Sequence, residues 1–173
     1  MTDAPTHGPA FEGLILEQND DWRYHFWYPK GWRRYDLAGD KVGVLCSPQA
    51  ENPTTYFSVE TQRLPMAVRP DDIDDLRQGI QEGLSSLPGL CVESAAESSQ
   101  GARLTFERVF TFRDGDVVRK RHIRLVYVGA TLYSLIAQGE DERAYAYWLS
   151  MLNYCHRTFE LGLFDMTGLA PET

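Results

Sequence analysis

Apolar and polar residues alternate along most of this chain, and in two places the alternation gives way to spacings of three and four. A period of two sends successive side chains to opposite faces of a strand. WRYHFWY (22–28) therefore predicts a strand with Trp22, Tyr24, Phe26 and Tyr28 on one face and Arg23, His25 and Trp27 on the other. FEGLILE (11–17) reads as a short strand before it, and NDD (19–21) as the turn between them. Pro29-Lys30-Gly31 ends the second strand, because proline cannot donate to a ladder and glycine accepts turn angles. WRRYDL (32–37), VGVLCS (42–47) and TTYFSVETQRL (54–64) continue as strands.

The first break in the alternation follows Pro70-Asp71-Asp72. Ile73, Leu76, Ile80, Leu84 and Leu87 then form one apolar stripe, and Pro88-Gly89 stops the helix they predict. LCVES (90–94) reads as a weak strand and AAESSQG (95–101) as a small-polar loop. Residues 102–138 predict a three-stranded meander, with a type I′ turn at Asp114-Gly115 and a type II′ turn at Gly129-Ala130. The resulting register sets Phe112 opposite Val117, Phe110 opposite Arg119, Glu107 opposite His122 and Thr105 opposite Arg124. It also sets Arg108 against Arg121, an unfavourable pairing, and Tyr127 opposite Leu132. One hairpin face gathers Leu104, Phe106, Phe110, Phe112, Ile123 and Leu125, and the other gathers Thr105, Glu107, Lys120, His122 and Arg124. The second break is a closing helix that begins on Glu140-Asp141-Glu142 and buries Tyr145, Trp148, Leu149, Leu152, Cys155 and Phe159. Strands joined by tight turns, with two amphipathic helices to cover them, predict an α+β sandwich. Its centre is an antiparallel sheet of about six or seven strands flanked by helices. Residues 1–10 read as a flexible arm, 11–161 as one domain and 162–173 as an irregular tail.

Composition adds exclusions. A net charge of −8 argues against nucleic-acid binding through a broadly basic surface. Cys46, Cys91 and Cys155 are odd in number and widely spaced, which fits buried, reduced thiols rather than a disulfide framework or a zinc site. With no cationic start followed by an apolar run, and no stretch of membrane-spanning length, the expectation is a cytoplasmic protein without a stable membrane anchor.

Candidate chemistry is thin. No G-x-S-x-G elbow, P-loop or G-x-G-x-x-G occurs, and Cys155 and His156 point about 100° apart on a helix. Glu107 opposite His122 could hold a divalent metal given a third ligand; His156, late in the last helix, does not obviously converge on it. A cross-strand ion pair is the simpler reading of those two residues. RKRHIR (119–124) reads as a solvated sheet edge whose charges alternate between faces. Trp27 and His25, opposite the core-facing rings, are candidate contact residues, because exposed aromatic residues typify interface anchors.

Two stretches carry a family likeness. F-x-Y-P-K-G-W (Phe26, Tyr28 to Trp32) resembles the entry motif of the PsbP-like fold. DGDVVRKRHIRLVYVGATLYSLIAQGEDERAYAYW (114–148) resembles its second block, and MLNYCHRTFEL (151–161) its helix end. The resemblance implies that fold over residues 11–161, shared by photosystem II extrinsic proteins, Mog-type Ran-binding proteins and bacterial DcrB and Eag-type domains. It implies no established enzyme activity and no cofactor. The combined expectation is a non-catalytic, protein-binding adaptor or chaperone domain, secretion-associated in some relatives. Its contact residues would be His25, Trp27, Arg121, His122 and Arg124, and its partner a protein rather than a nucleic acid. A small-ligand or divalent-metal sensor built on Glu107 and His122 is the alternative.

Overall fold

A computed structural model describes residues 8–162. The aromatic alternation at the start forms β1 (Leu14–Asn19) and β2 (Tyr24–Pro29), an antiparallel pair extended by the short β10 (Glu160–Leu161) on the other side of β2. β3 (Arg33–Asp36), β4 (Val42–Ser47) and β5 (Tyr56–Arg63) follow. Next come a 3₁₀ turn at Pro70–Asp72 and α1 (Ile73–Ser85), then β6 (Cys91–Gln100), β7 (Arg103–Asp114), β8 (Val117–Val128), β9 (Thr131–Gly139) and α2 (Glu142–Thr158). Seven of these strands make one antiparallel sheet in the order β3-β4-β5-β9-β8-β7-β6.

Each face of the large sheet receives one helix. The apolar stripe that periodicity predicts for α1, with Ile73, Leu76, Ile80 and Leu84, lies over Leu104, Phe106, Phe110, Phe112, Ile123 and Tyr127. A second tie reinforces it. Glu97 of β6 accepts from Arg77 of α1 (2.8 Å) and from the buried Arg108 of β7 (2.8 Å), which holds the Glu97 carboxyl below its usual range. On the opposite face, Tyr145, Met151, Leu152 and Cys155 of α2 join Val44, Phe57, Val59, Leu135 and the inward rings Tyr24, Phe26 and Tyr28 of β2 in one core. Phe26 and Phe57 meet edge to face at 5.1 Å, and Trp32 is buried against Trp148 at 5.8 Å. Arg34 of β3 grips the buried Glu17 of β1 through two bonds of 2.7 and 2.9 Å and so ties the small sheet to the large one.

Several sequence expectations need correction. The β7–β8 turn centres on Gly115-Asp116, with a positive φ (63°) at Gly115 and none at Asp116. That is the pattern of a II′ turn and spares Asp114 a left-handed conformation. Every partner on β8 therefore slides by two residues: Phe112 faces Arg119, Phe110 faces Arg121, Glu107 faces Arg124 and Thr105 faces Val126. An even slip keeps each residue on its expected face, and Arg108 now faces Ile123 rather than Arg121. AAESSQ is strand, not loop, because pairing with β7 overrides its low strand propensity, with a register shift between Val92 and Ser94. That makes the small, polar β6 an edge of the sheet, while the basic run of β8 lies inside it. Within α2, Met151 and His156 are buried and Leu149 is exposed, and Cys91 is exposed where a buried thiol is expected. The expectations for residues 1–7 and 163–173 lie outside the described residues.

Candidate functional site

Two surfaces collect all but one of the contact residues singled out in the sequence. The first is the outer face of β1–β2. The core rings occupy the inner face of β2, so the pleat turns His25 and Trp27 outward. Trp27 is 38% exposed, pairs directly with Leu16 (40%), and has Leu14 (37%) on its diagonal. At the end of α2 next to this strand, the Thr158 hydroxyl accepts from the Trp27 amide at 3.0 Å. One turn back, Tyr154 carries Phe11 on its ring at 5.6 Å, and both are exposed. His25 is bordered by Glu160 of β10, with Nε2 and Oε2 3.4 Å apart.

The second surface lies on the α2 side of β7 and β8. Glu107 Oε1 stands 3.4 Å from Arg124 Nε, and its Oε2 stands 3.7 Å from His122 Nε2 across the diagonal. The His122 ring beside it holds the Glu107 carboxyl below its usual range, against its burial, with Arg124 adding to the lowering. His122 stacks on His156, ring centroids 4.1 Å apart, and His156 in turn meets Phe57 edge-on at 5.0 Å. His156 is 4% exposed, and among the described residues neither ring nitrogen has a hydrogen-bond partner. Burial, then the neighbouring His122 and Arg124, drives its pKa well below 6.5, so the ring is neutral. Arg124 Nη1 donates to the His156 carbonyl at 3.1 Å, fastening the last turn of α2 to β8.

The five predicted contact residues thus fall in three places. His25 and Trp27 share the outer face of β2, and His122 and Arg124 share the α2 side of β8. Arg121 projects to the α1 side, over the Phe112 ring at 4.8 Å, where its Nε donates to Gln138 at 2.9 Å. His156 is the residue that sequence reasoning passed over as a neighbour of His122. Its position four after Leu152 on the buried stripe was the available signal. Among the described residues, no group of three or more His, Cys, Asp or Glu side chains converges as a metal cluster. No helix among them is long and apolar enough to cross a membrane.

With this arrangement in hand, comparison with solved structures is informative. Cyanobacterial PsbP (CyanoP) from Synechocystis sp. PCC 6803 superposes with a TM-score of 0.60 over 91% of this chain and 99% of its own, at 16% identity. The fold is PsbP-like. LpqN, involved in cell envelope biogenesis of Mycobacterium tuberculosis, shares the architecture at TM-score 0.55 and 13% identity, over 92% of this chain and 90% of its own. A Bacteroides thetaiotaomicron structure does so at TM-score 0.55 and 14% identity, over 84% of this chain and 47% of its own. No family model and no curated protein matches the sequence. At these identities the PsbP-like likeness is one of fold, and function has to be argued from surfaces.

Proposed function

We propose that this PsbP-like domain is a non-catalytic binding module that holds a partner polypeptide against the outer face of β1–β2. The observation that carries the reading is the adjacency of Leu14, Leu16 and Trp27 on an exposed sheet face, with Phe11 and Tyr154 exposed at the end of α2 nearby. Aromatic and aliphatic side chains grouped in this way supply the apolar centre of an interface, and His25 and Glu160 would stand at its polar margin. β1 also ends the small sheet, so its outer edge could accept an extended segment by strand addition.

Photo-crosslinking in the native cell tests this. A photoreactive residue at position 16 or 27 is expected to give covalent polypeptide adducts, while one at Gln78, on the far side of α1, gives none. Trp27→Ala should abolish the adducts formed from position 16. Adduct patterns from 16 and 27 that match those from 78 would overturn the reading.

A further inference from the structure

The sheet extends past α2. That helix lies against β2, β5, β8 and β9, and the far end of β6–β7 is left as an open hollow of about 360 Å³. Its floor comes from one face of three strands: Ser98 and Gln100 of β6, Arg103, Thr105 and Glu107 of β7, and Arg124 of β8. Glu97 borders it too, but its carboxylate is engaged by Arg77 and Arg108.

What distinguishes the hollow is donors without acceptors. Among the described residues the Arg103 guanidinium has no hydrogen bond or ion pair and Arg124 Nη2 makes no hydrogen bond, Arg124 being engaged through Nη1 and Nε. Burial, with the nearby Arg124 adding to it, pulls the Arg103 guanidinium below its usual range. Thr105 is 9% exposed and its hydroxyl makes no hydrogen bond among the described residues, and the fully buried Arg124 Nε has no hydrogen-bond partner among them either. Two guanidinium groups against the single Glu107 carboxylate leave about one positive charge uncompensated, with like charges held together at a partly desolvated floor. A monoanion would satisfy both the charge and the unmatched donors. A planar carboxylate also suits the guanidinium fork, and the hydroxyl and amide groups of Ser98, Thr105 and Gln100 suit a polar remainder.

We propose that this hollow binds a small hydroxycarboxylic acid, its carboxylate held between Arg103 and Arg124 and its hydroxyl bonded by Thr105 and its β6 neighbours. The site lies on the large sheet, away from Trp27, and stands or falls separately from the polypeptide-binding face. Lactate and acetate are the probes, titrated into the full chain at constant ionic strength while the arginine Nε–H signals are followed by NMR. Lactate is expected to saturate the Arg103 and Arg124 signals with a dissociation constant on the order of millimolar, more tightly than acetate. Arg103→Gln should weaken binding by about tenfold or more while the remaining amide spectrum stays native. Thr105→Val should remove the preference for lactate over acetate. Inorganic phosphate or chloride acting as strongly as lactate would mean diffuse charge attraction and overturn the proposal. So would the absence of saturable shifts, or unchanged affinity in Arg103→Gln.

Discussion

Replacing His156 by leucine should stabilise this protein, and more so as the pH falls. The imidazole is 4% exposed and packed between His122 and Phe57, and among the described residues both ring nitrogens lack hydrogen-bond partners. A buried polar group left unbonded costs about 1–3 kcal/mol, whereas leucine fills a similar volume with no polar atom to satisfy. Allowing for imperfect repacking, His156→Leu gains about 1 kcal/mol at pH 8. The pH term adds to this. The ring's pKa lies well below 6.5 in the folded state, chiefly through burial and then through His122 and Arg124, so below about pH 6.5 the unfolded chain binds a proton that the native chain refuses. Stability is therefore intact above 6.5 and declines as pH falls, by up to about 1.4 kcal/mol per unit, until the folded-state pKa is reached. Urea unfolding of both proteins at pH 8 and at pH 5.5 separates the two contributions. The advantage of the leucine protein should rise by about 1 kcal/mol between those conditions. Glu97 and Glu107, whose lowered pKa values make them sensitive only below about 4.5, do not interfere in this window. A leucine protein less stable than wild type at pH 8, with an unchanged pH profile, would refute the argument and show that the ring is bonded in solution.

Other outcomes can be checked as directly. Glu97→Gln removes the charge facing the buried Arg108 and should cost about 3 kcal/mol in urea unfolding; Arg77→Ala, on the solvent side of the same carboxylate, should cost clearly less. Gly43 has a φ of +149°, and a methyl group there would overlap the Val59 carbonyl oxygen, so Gly43→Ala should lose about 3 kcal/mol or more or fail to accumulate as folded protein. Of the three thiols, Cys91 alone should react with Ellman's reagent in the native state, and all three should react in denaturant. Cys46 and Cys155 are buried, which pushes the Cys46 thiol up to about 12 and Cys155 well above its ordinary value.

The fold could be read where periodicity was strong. Tyr24, Phe26 and Tyr28 face inward as their alternation demands, and the apolar stripe of α1 and the apolar even-numbered face of β7, each legible in the sequence, pack on one another. Legibility failed where context overrode local preference. AAESSQ has little strand propensity, and only its β7 neighbour makes it a strand. Asp114-Gly115 looked like the centre of a turn, yet a glycine before an aspartate offers the II′ geometry one position later. The same one-position shift explains why Glu107 lies across from Arg124 and reaches His122 only on the diagonal. His156 was set aside as a neighbour of His122 because a titratable residue at the margin of an apolar stripe can be assigned inward or outward until its packing partners are known. The Arg103–Arg124 hollow depends on where α2 stops covering the sheet, which no local pattern encodes.

The attachment of α1 has a mechanical corollary. None of its residues is fully buried, and apart from its apolar stripe it is clasped, among the described residues, through the one carboxylate of Glu97 that Arg77 and Arg108 share. Weakening that clasp by acid or salt would let the helix peel away as a unit while the seven strands stay laced together. The first partly open form of the molecule would then show a bare patch of phenylalanines on a sheet whose other side is still sealed by α2.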